Sequence, residues 1–205
     1  HLYFENFARN GAITNLFNPG GTAMAFHAYI PPTLVTNSSP VFSDDPVPFL
    51  CVNDTVSILN TAIDPDGDQL VFSFVTPMGA ATTSSPLNLS WPVTPVAYNG
   101  PYSTALPFGA GGYTFINGAT GLTQYMSPAT GNYVVAVEIK EIRNGNVIGV
   151  TRRDLQLLVI ACPPNPAPNL SNSGGSGQTQ YTIQECDTLS FPVPDKSFGA
   201  FSLSD

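Results

Sequence analysis

A row of apolar residues at every second position on both sides of one tight turn constrains this chain most. Every second residue is apolar from Tyr133 to Ile139, and again from Leu155 to Val159. Residues two apart share a face of a β-strand, so each run predicts a strand with one buried face. Between them lies Asn144-Gly145, which tolerates the positive φ angles of a type I′ turn. The pattern predicts a long hairpin formed by residues 133–143 and 146–160.

Shorter alternating segments extend this pattern over the chain. Strands are predicted at 55–58, 69–75, 113–116 and 122–126. No segment of helical length keeps a 3.6-residue period without a Pro or Gly interruption. Since hydrophobic residues make up 42% of the chain, these strands can bury a core. We therefore expect an all-β sandwich.

Charge excludes two classes of partner. Six Lys and Arg residues stand against fourteen Asp and Glu, which gives a formal net charge of −8. A chain so poor in basic residues lacks the footprint of a nucleic-acid-binding protein. An anionic membrane surface would repel it, and no run of apolar residues is long enough for a membrane-spanning helix. We expect no nucleic-acid partner and no membrane insertion.

A short internal repeat suggests tandem organisation. Cys51–Ile58 is similar to Cys186–Phe191, and each follows a spacer rich in Pro, Asn and Ser. We interpret 1–36 as the C-terminal strands of a preceding repeat, 37–162 as one complete repeat, and 163–205 as a Pro-rich linker and the start of the next. The chain is then an excerpt of a longer array, in which neighbouring repeats are partners.

The three cysteines do not have the spacing of a zinc site. In the predicted sandwich, Cys51 follows the first strand and Cys162 follows the last, and both strands end at the same pole. We therefore predict a Cys51–Cys162 disulfide, with Cys186 unpaired within this chain. A disulfide implies export to an oxidising compartment. The alternative is three buried free thiols.

The segment Asp64-Pro65-Asp66-Gly67-Asp68 is dense in carboxylates. Three of them at every second position converge only if the backbone turns, which Gly67 permits. Hard oxygen ligands on a tight loop are what Ca²⁺ requires, although the spacing is not that of an EF-hand. The alternative is a β-turn whose Asp side chains cap backbone amides.

The regions around this loop resemble a cadherin-like or immunoglobulin-like repeat. The likeness lies in Asn37–Phe42, in Ala62–Ser73 with its Asp-x-Asp loop, and in Tyr133–Val137. The resemblance implies tandem Greek-key β-sandwiches with calcium at the junction between repeats. The resemblance implies Asp64, Asp66 and the linker residue Asn37 as ligands, and the spacing of the carboxylates in the loop adds Asp68. Because residues 36–39 carry no charge, we expect one calcium ion rather than a cluster.

A second set of motifs resembles the giant adhesins of gliding bacteria, which the type IX secretion system exports. It comprises Arg9–Asn15, Ser39–Phe42, Cys51–Asn53 and Arg153–Gln156. The resemblance implies a secreted protein on the bacterial cell surface, outside the outer membrane, with a role in adhesion or gliding motility. The secretion machinery would then be a partner during export.

Two threonines stand in triplets that resemble the O-glycosylation signal of the same bacteria. They are Thr55 in Asp-Thr-Val and Thr188 in Asp-Thr-Leu. An ordinary strand position near a cysteine explains each triplet equally well.

Residues 76–112 form a long connection that is rich in Pro, Thr, Ser and Gly. Trp91, Tyr98 and Tyr102 within it would make a stacking platform for a surface polysaccharide or a protein ligand. The alternative is a structural flap whose aromatic rings pack inward.

Enzyme chemistry finds little support in the sequence. His27 lies in an alternating, strand-like run, where a structural histidine is expected rather than a catalytic base. Glu138 and Glu141 are three apart on one predicted strand, so they face opposite sides and cannot flank one glycosidic bond without a β-bulge. We expect a structural, adhesive repeat and not an enzyme; the alternative is a carbohydrate- or protein-binding accessory module that uses the 76–112 loop.

Overall fold

In the computed structural model of this protein, the described residues are 2–6, 8–31, 36–43, 45, 49–79 and 93–163. They form strands and one 3-10 helix, Pro19–Gly21, and no α-helix occurs among them. The strands, in chain order, are β1 (Leu2–Asn6), β2 (Met24–Ala28), β3 (Val41–Phe42), β4 (Phe49–Cys51), β5 (Val56–Leu59), β6 (Ala62–Ile63), β7 (Gln69–Val75), β8 (Met78–Gly79), β9 (Thr94–Pro95), β10 (Tyr113–Ile116), β11 (Leu122–Met126), β12 (Gly131–Arg143) and β13 (Asn146–Ile160). In this described part of the chain, no helix has the length and apolar character needed to cross a bilayer.

Two sheets dominate the fold. The larger sheet has the order β4-β13-β12-β7, and the smaller sheet has the order β10-β11-β5. The predicted hairpin forms the centre of the larger sheet, where β12 and β13 pair antiparallel. Asn144 and Gly145 between them have φ angles of 52° and 77°, which suit the predicted type I′ turn. Three two-stranded ribbons, β1-β2, β3-β6 and β8-β9, also form among the described residues.

Side chains from both sheets meet in one buried cluster. Tyr133 and Val135 of β12 contribute to it from the larger sheet, and Ile58 of β5 and Tyr125 of β11 from the smaller. The inward row of β13 belongs to the same cluster: Leu155, Leu157 and Val159. Two sheets that share a core of this kind form a β-sandwich, so the all-β prediction is confirmed.

The N-terminal segment extends the larger sheet and covers part of its second face. Beyond the end of β7, the side-chain amide of Asn15 pairs with the backbone of Val134: Nδ2 donates to the carbonyl at 2.8 Å, and Oδ1 accepts from the amide N–H at 2.9 Å. Ile13 and Leu16 bury their side chains against Val134 and Val96. Both faces of β12 are therefore buried, whereas the alternation predicted one.

The chain divides after Cys162. His1–Cys162 form one compact unit, and a second unit begins at Pro163. Apart from Pro163, that second unit lies outside the described residues. The complete repeat expected over residues 37–162 stays a prediction. The origin of residues 1–36 in a preceding repeat stays a prediction, and in the structure their described part packs against the sandwich.

The predicted disulfide joins Cys51 to Cys162, with 5.3 Å between the two Cα atoms. Its physical basis is the parallel pairing of β4 with β13, which sets Cys51 opposite Ile160. The chain needs only two more residues to bring the second cysteine alongside the first. The pairing prediction is confirmed, and Cys186 lies outside the described residues.

Candidate metal centre

The acidic loop lies between β6 and β7 and is organised by one carboxylate. Oδ1 of Asp64 accepts the backbone N–H groups of Asp66 at 2.9 Å and of Asp68 at 3.0 Å. Gly67, with a φ of 81°, supplies the left-handed residue that closes the turn. The turn-capping role therefore accounts for one oxygen of Asp64. The other, Oδ2, is buried and accepts no hydrogen bond from the described residues.

A fourth acidic residue, which we did not predict as a ligand, completes the cluster. Asp64, Asp68 and Glu141 each bring a carboxylate oxygen within 4.8 Å of the others. Glu141 belongs to β12 at a β-bulge and is 1% exposed. Gly149 on β13 lies against it, and a Cβ at that position would overlap the Glu141 carboxylate. The glycine thus leaves the space that the buried carboxylate occupies.

The local electrostatics favour a positive charge at this cluster. Burial raises the pKa of Glu141, the hydrogen bond from Asn37 opposes that rise, and the charges of Asp64, Asp68 and Asp66 add to it. A cation among these carboxylates would stabilise the charged forms of Glu141 and of the neighbouring aspartates.

Arg143, at the end of β12, supplies one positive charge. Its Nε and Nη2 donate to Oδ1 and Oδ2 of Asp68 at 2.7 and 2.6 Å, which makes a bidentate pair. The hydrogen bond to Asp68 is the main reason that the pKa of Arg143 is raised. Nη1 also donates to the carbonyl of Thr36 at 2.8 Å, and Nη2 to Oδ1 of Asn37 at 3.3 Å.

The predicted linker residues lie against the same cluster. Asn37 donates through Nδ2 to Oε2 of Glu141, and the backbone N–H of Ser38 donates to Oδ2 of Asp66. Asn37 is therefore beside the other predicted ligands. Asp66 is not one of the three clustered carboxylates. Its own carboxylate accepts from Ser38 and lies 3.8 Å from Arg143.

The donor set suits a hard cation. Ca²⁺ takes six to eight oxygens, typically carboxylates, amide and backbone carbonyls and water. Asp64, Asp68 and Glu141 provide carboxylates, and Asn37 and Thr36 provide carbonyl oxygens close by. The unpartnered Oδ2 of Asp64 is available without breaking any hydrogen bond of the described residues. A cation that used Asp68 would share its oxygens with Arg143.

One signal in the sequence could have identified Glu141. It continues the row of every second residue from Tyr133 to Ile139, so it belongs to the inward face. A carboxylate at an inward position of an otherwise apolar row requires a polar partner. Its partners lie 73 or more positions away, on a loop whose location the alternation does not determine.

Of the three aromatic residues predicted to bind a ligand, two are described, and they lie in different places. The Tyr102 ring packs against the core, with its centroid 6.1 Å from that of Tyr133. Tyr98 packs against the cluster around Val134, and burial raises the pKa of its hydroxyl. Trp91 lies outside the described residues, and the two described rings, those of Tyr98 and Tyr102, pack against different clusters.

The two candidate glycosylation sites also differ. Thr55 is exposed, just before β5. Thr188 lies outside the described residues.

Comparison of the chain with protein-family models, with curated proteins and with solved structures finds no match in any of the three. Function is therefore inferred from the geometry of the residues themselves.

Proposed function

We propose that this chain is a calcium-stiffened repeat of a secreted bacterial cell-surface adhesin, with a structural and binding role of the adhesion or gliding-motility type. The observation that carries the proposal is the convergence of Asp64, Asp68 and Glu141 beside the linker residue Asn37. Within this proposal the sandwich is a cadherin-like or immunoglobulin-like Greek-key repeat.

The expected effect of calcium follows from where its ligands lie in the chain. The loop residues Asp64 and Asp68, the strand residue Glu141 and the linker residue Asn37 come from three segments. One ion bound by all three would restrict their relative motion. An ion that binds only the folded arrangement stabilises it by mass action.

Export is supported by the covalent chemistry. The Cys51–Cys162 disulfide closes a loop over a sequence separation of 111 residues. Such bonds persist in oxidising compartments, which is consistent with the bacterial cell surface and with passage through a secretion system. Neighbouring repeats of the same polypeptide would be the permanent partners of the chain.

Isothermal titration of the whole chain with CaCl₂ tests this proposal. We expect a single site with a dissociation constant of about 10⁻⁴ to 10⁻³ M, the range of extracellular calcium modules. Asp64→Asn and Glu141→Gln should each abolish or strongly weaken binding, because each removes a charged ligand. Asp54→Asn, which changes an exposed carboxylate next to Thr55, is the matched control and should bind as the unmodified chain does.

Two results would contradict the metal site. One is the absence of any saturable heat at millimolar calcium. The other is binding that survives both substitutions in the cluster, which would place the ion elsewhere on the acidic surface.

A further inference from the structure

A second candidate site lies between the N-terminal segment and the β8-β9 ribbon. It is a depression of about 320 Å³ lined by Phe17, Asn18, Gly21 and Thr22 on one side and by Gly79 and Thr94–Ala97 on the other. Volumes of this order are typical of sites for small molecules. None of the described side chains that line it is charged. It is separate from the acidic cluster and does not depend on the proposed calcium site.

Phe17 presents an aromatic ring at this depression. The side chain is 65% exposed although its backbone is fixed, since the N–H of Phe17 donates to the carbonyl of Ala97 at 2.9 Å. Its neighbour Leu16 is 3% exposed and forms a β-bridge with Tyr98. The ring is therefore held out by ordered structure, where it provides a flat apolar surface.

Asn18 sets an amide beside that ring. Its backbone is left-handed, with φ 43° and ψ 55°, and its side chain makes no hydrogen bond to the 3-10 helix that follows. The amide lies over Gly21, where a Cβ would be 2.5 Å from Nδ2. Because the amide does not cap its own helix, its two donors and its acceptor are not used there.

Two hydroxyls and a second glycine complete the lining. Thr22 donates through Oγ1 to the carbonyl of Asn18 at 3.0 Å, and Thr94 donates to that of Gly79 at 3.2 Å. Because both protons are used, each oxygen remains as an acceptor. A Cβ on Gly79 would lie 2.6 Å from Val96 and 2.8 Å from Thr22, so glycine keeps the two sides close.

We propose that this depression binds a neutral sugar, one or two pyranose rings in size. A pyranose has an apolar C–H face, which suits the exposed Phe17 ring, and hydroxyls at its edge, which suit the Asn18 amide and the threonine oxygens. The described part of the lining is uncharged and offers no counter-ion for an anionic or cationic ligand. The net charge of −8 further disfavours acidic sugars.

Chemical-shift mapping of the isotope-labelled whole chain tests this proposal at fixed calcium concentration. The probes are cellobiose, maltose, lactose and diacetylchitobiose, with glucuronic acid as the charged comparison. We expect saturable shifts at the amides of Phe17, Asn18, Thr22 and Ala97 with at least one neutral disaccharide, at millimolar affinity.

Two substitutions should weaken that binding by about tenfold or more. Phe17→Ala removes the stacking surface. Asn18→Gly removes the amide while keeping a residue that adopts the left-handed backbone without strain. Phe115→Ala, which truncates an aromatic side chain 41% exposed on the smaller sheet, is the control and should bind normally.

The proposal is overturned if no neutral disaccharide shifts these amides at tens of millimolar. It is equally overturned if the shifts persist in Phe17→Ala, or if glucuronic acid binds more tightly than every neutral probe.

Discussion

Arg9 and Asp154 lie 145 positions apart in the chain and form a two-pronged ion pair, with 3.2 Å between Nη1 and Oδ1 and 2.6 Å between Nη2 and Oδ2. Their side chains are 2% and 10% exposed. Nη2 of Arg9 also donates to the carbonyl of Met78 at 2.8 Å. The pair therefore ties the N-terminal segment to β13 of the larger sheet. It also joins two of the motifs on which the adhesin resemblance rests.

Replacing Arg9 with methionine should destabilise the sandwich. The substitution leaves the Asp154 carboxylate buried without its cation, and breaking a buried pair in this way costs about 3 kcal/mol or more. Urea unfolding should show a clearly lower midpoint, with partial recovery in the double variant Arg9→Met/Asp154→Leu. The control is Lys140→Met, which removes a half-exposed partner of Glu138 and should change stability by about 1 kcal/mol or less. If Arg9→Met and Lys140→Met lowered the stability equally, this role of the pair would be contradicted.

Loss of the disulfide should be costly. For a loop of 111 residues, the chain-entropy relation gives about 4 to 5 kcal/mol of stabilisation through the unfolded state. We expect Cys51→Ala/Cys162→Ala to unfold at a much lower denaturant concentration than the oxidised chain. Reduced and oxidised chains with the same midpoint would show that the bond contributes nothing.

Glu141→Gln should have opposite effects with and without calcium. The pKa of Glu141 is raised in the folded protein, so folding favours the neutral form. Ionisation of Glu141 therefore destabilises the folded state. This destabilisation is absent below the ordinary pKa of 4.5 and becomes complete as the pH rises through the higher pKa of the folded state. In chelator at neutral pH, the variant should therefore be more stable than the unmodified chain, and the difference should vanish in acid.

In saturating calcium that order should reverse, because glutamine cannot supply the ligand charge. Glu138→Gln is the matched control on the same strand. Glu138 is paired with Arg152 at 2.7 Å, so its neutralisation should destabilise the chain whether or not calcium is present. A Glu141→Gln variant that is less stable than the unmodified chain in chelator would contradict the account of the buried carboxylate.

Much of the sandwich was predictable because it depends on local periodicity. The observed bounds of β10, β11 and β13 are those the alternation predicts, and Asn144-Gly145 identifies the turn. The disulfide followed from strand direction, since first and last strands that run the same way end at the same pole. Both inferences need only short-range pattern and the order of elements.

The candidate site was predictable only in part. Asp64 and Asp68 share a loop and could be recognised by spacing, whereas Glu141 joins them through the pairing of β12 with β7, in which it lies opposite Leu70. Alternation fixes the face on which a side chain lies but not the register between strands. The burial of the second face of β12 was missed for a similar reason. The segment that covers it, around Ile13 and Leu16, contacts it through irregular backbone and isolated bridges.

The most direct test of the calcium proposal is the unfolding temperature of the whole chain, measured by calorimetry in calcium and in chelator. At a hundredfold excess over the dissociation constant, binding contributes about 2.7 kcal/mol, which corresponds to roughly 5 to 10 °C for a unit of this size. We predict a rise of that order for the unmodified chain and for Asp54→Asn, and none for Asp64→Asn. Identical unfolding temperatures in calcium and in chelator for the unmodified chain would contradict the proposal that calcium stiffens this fold.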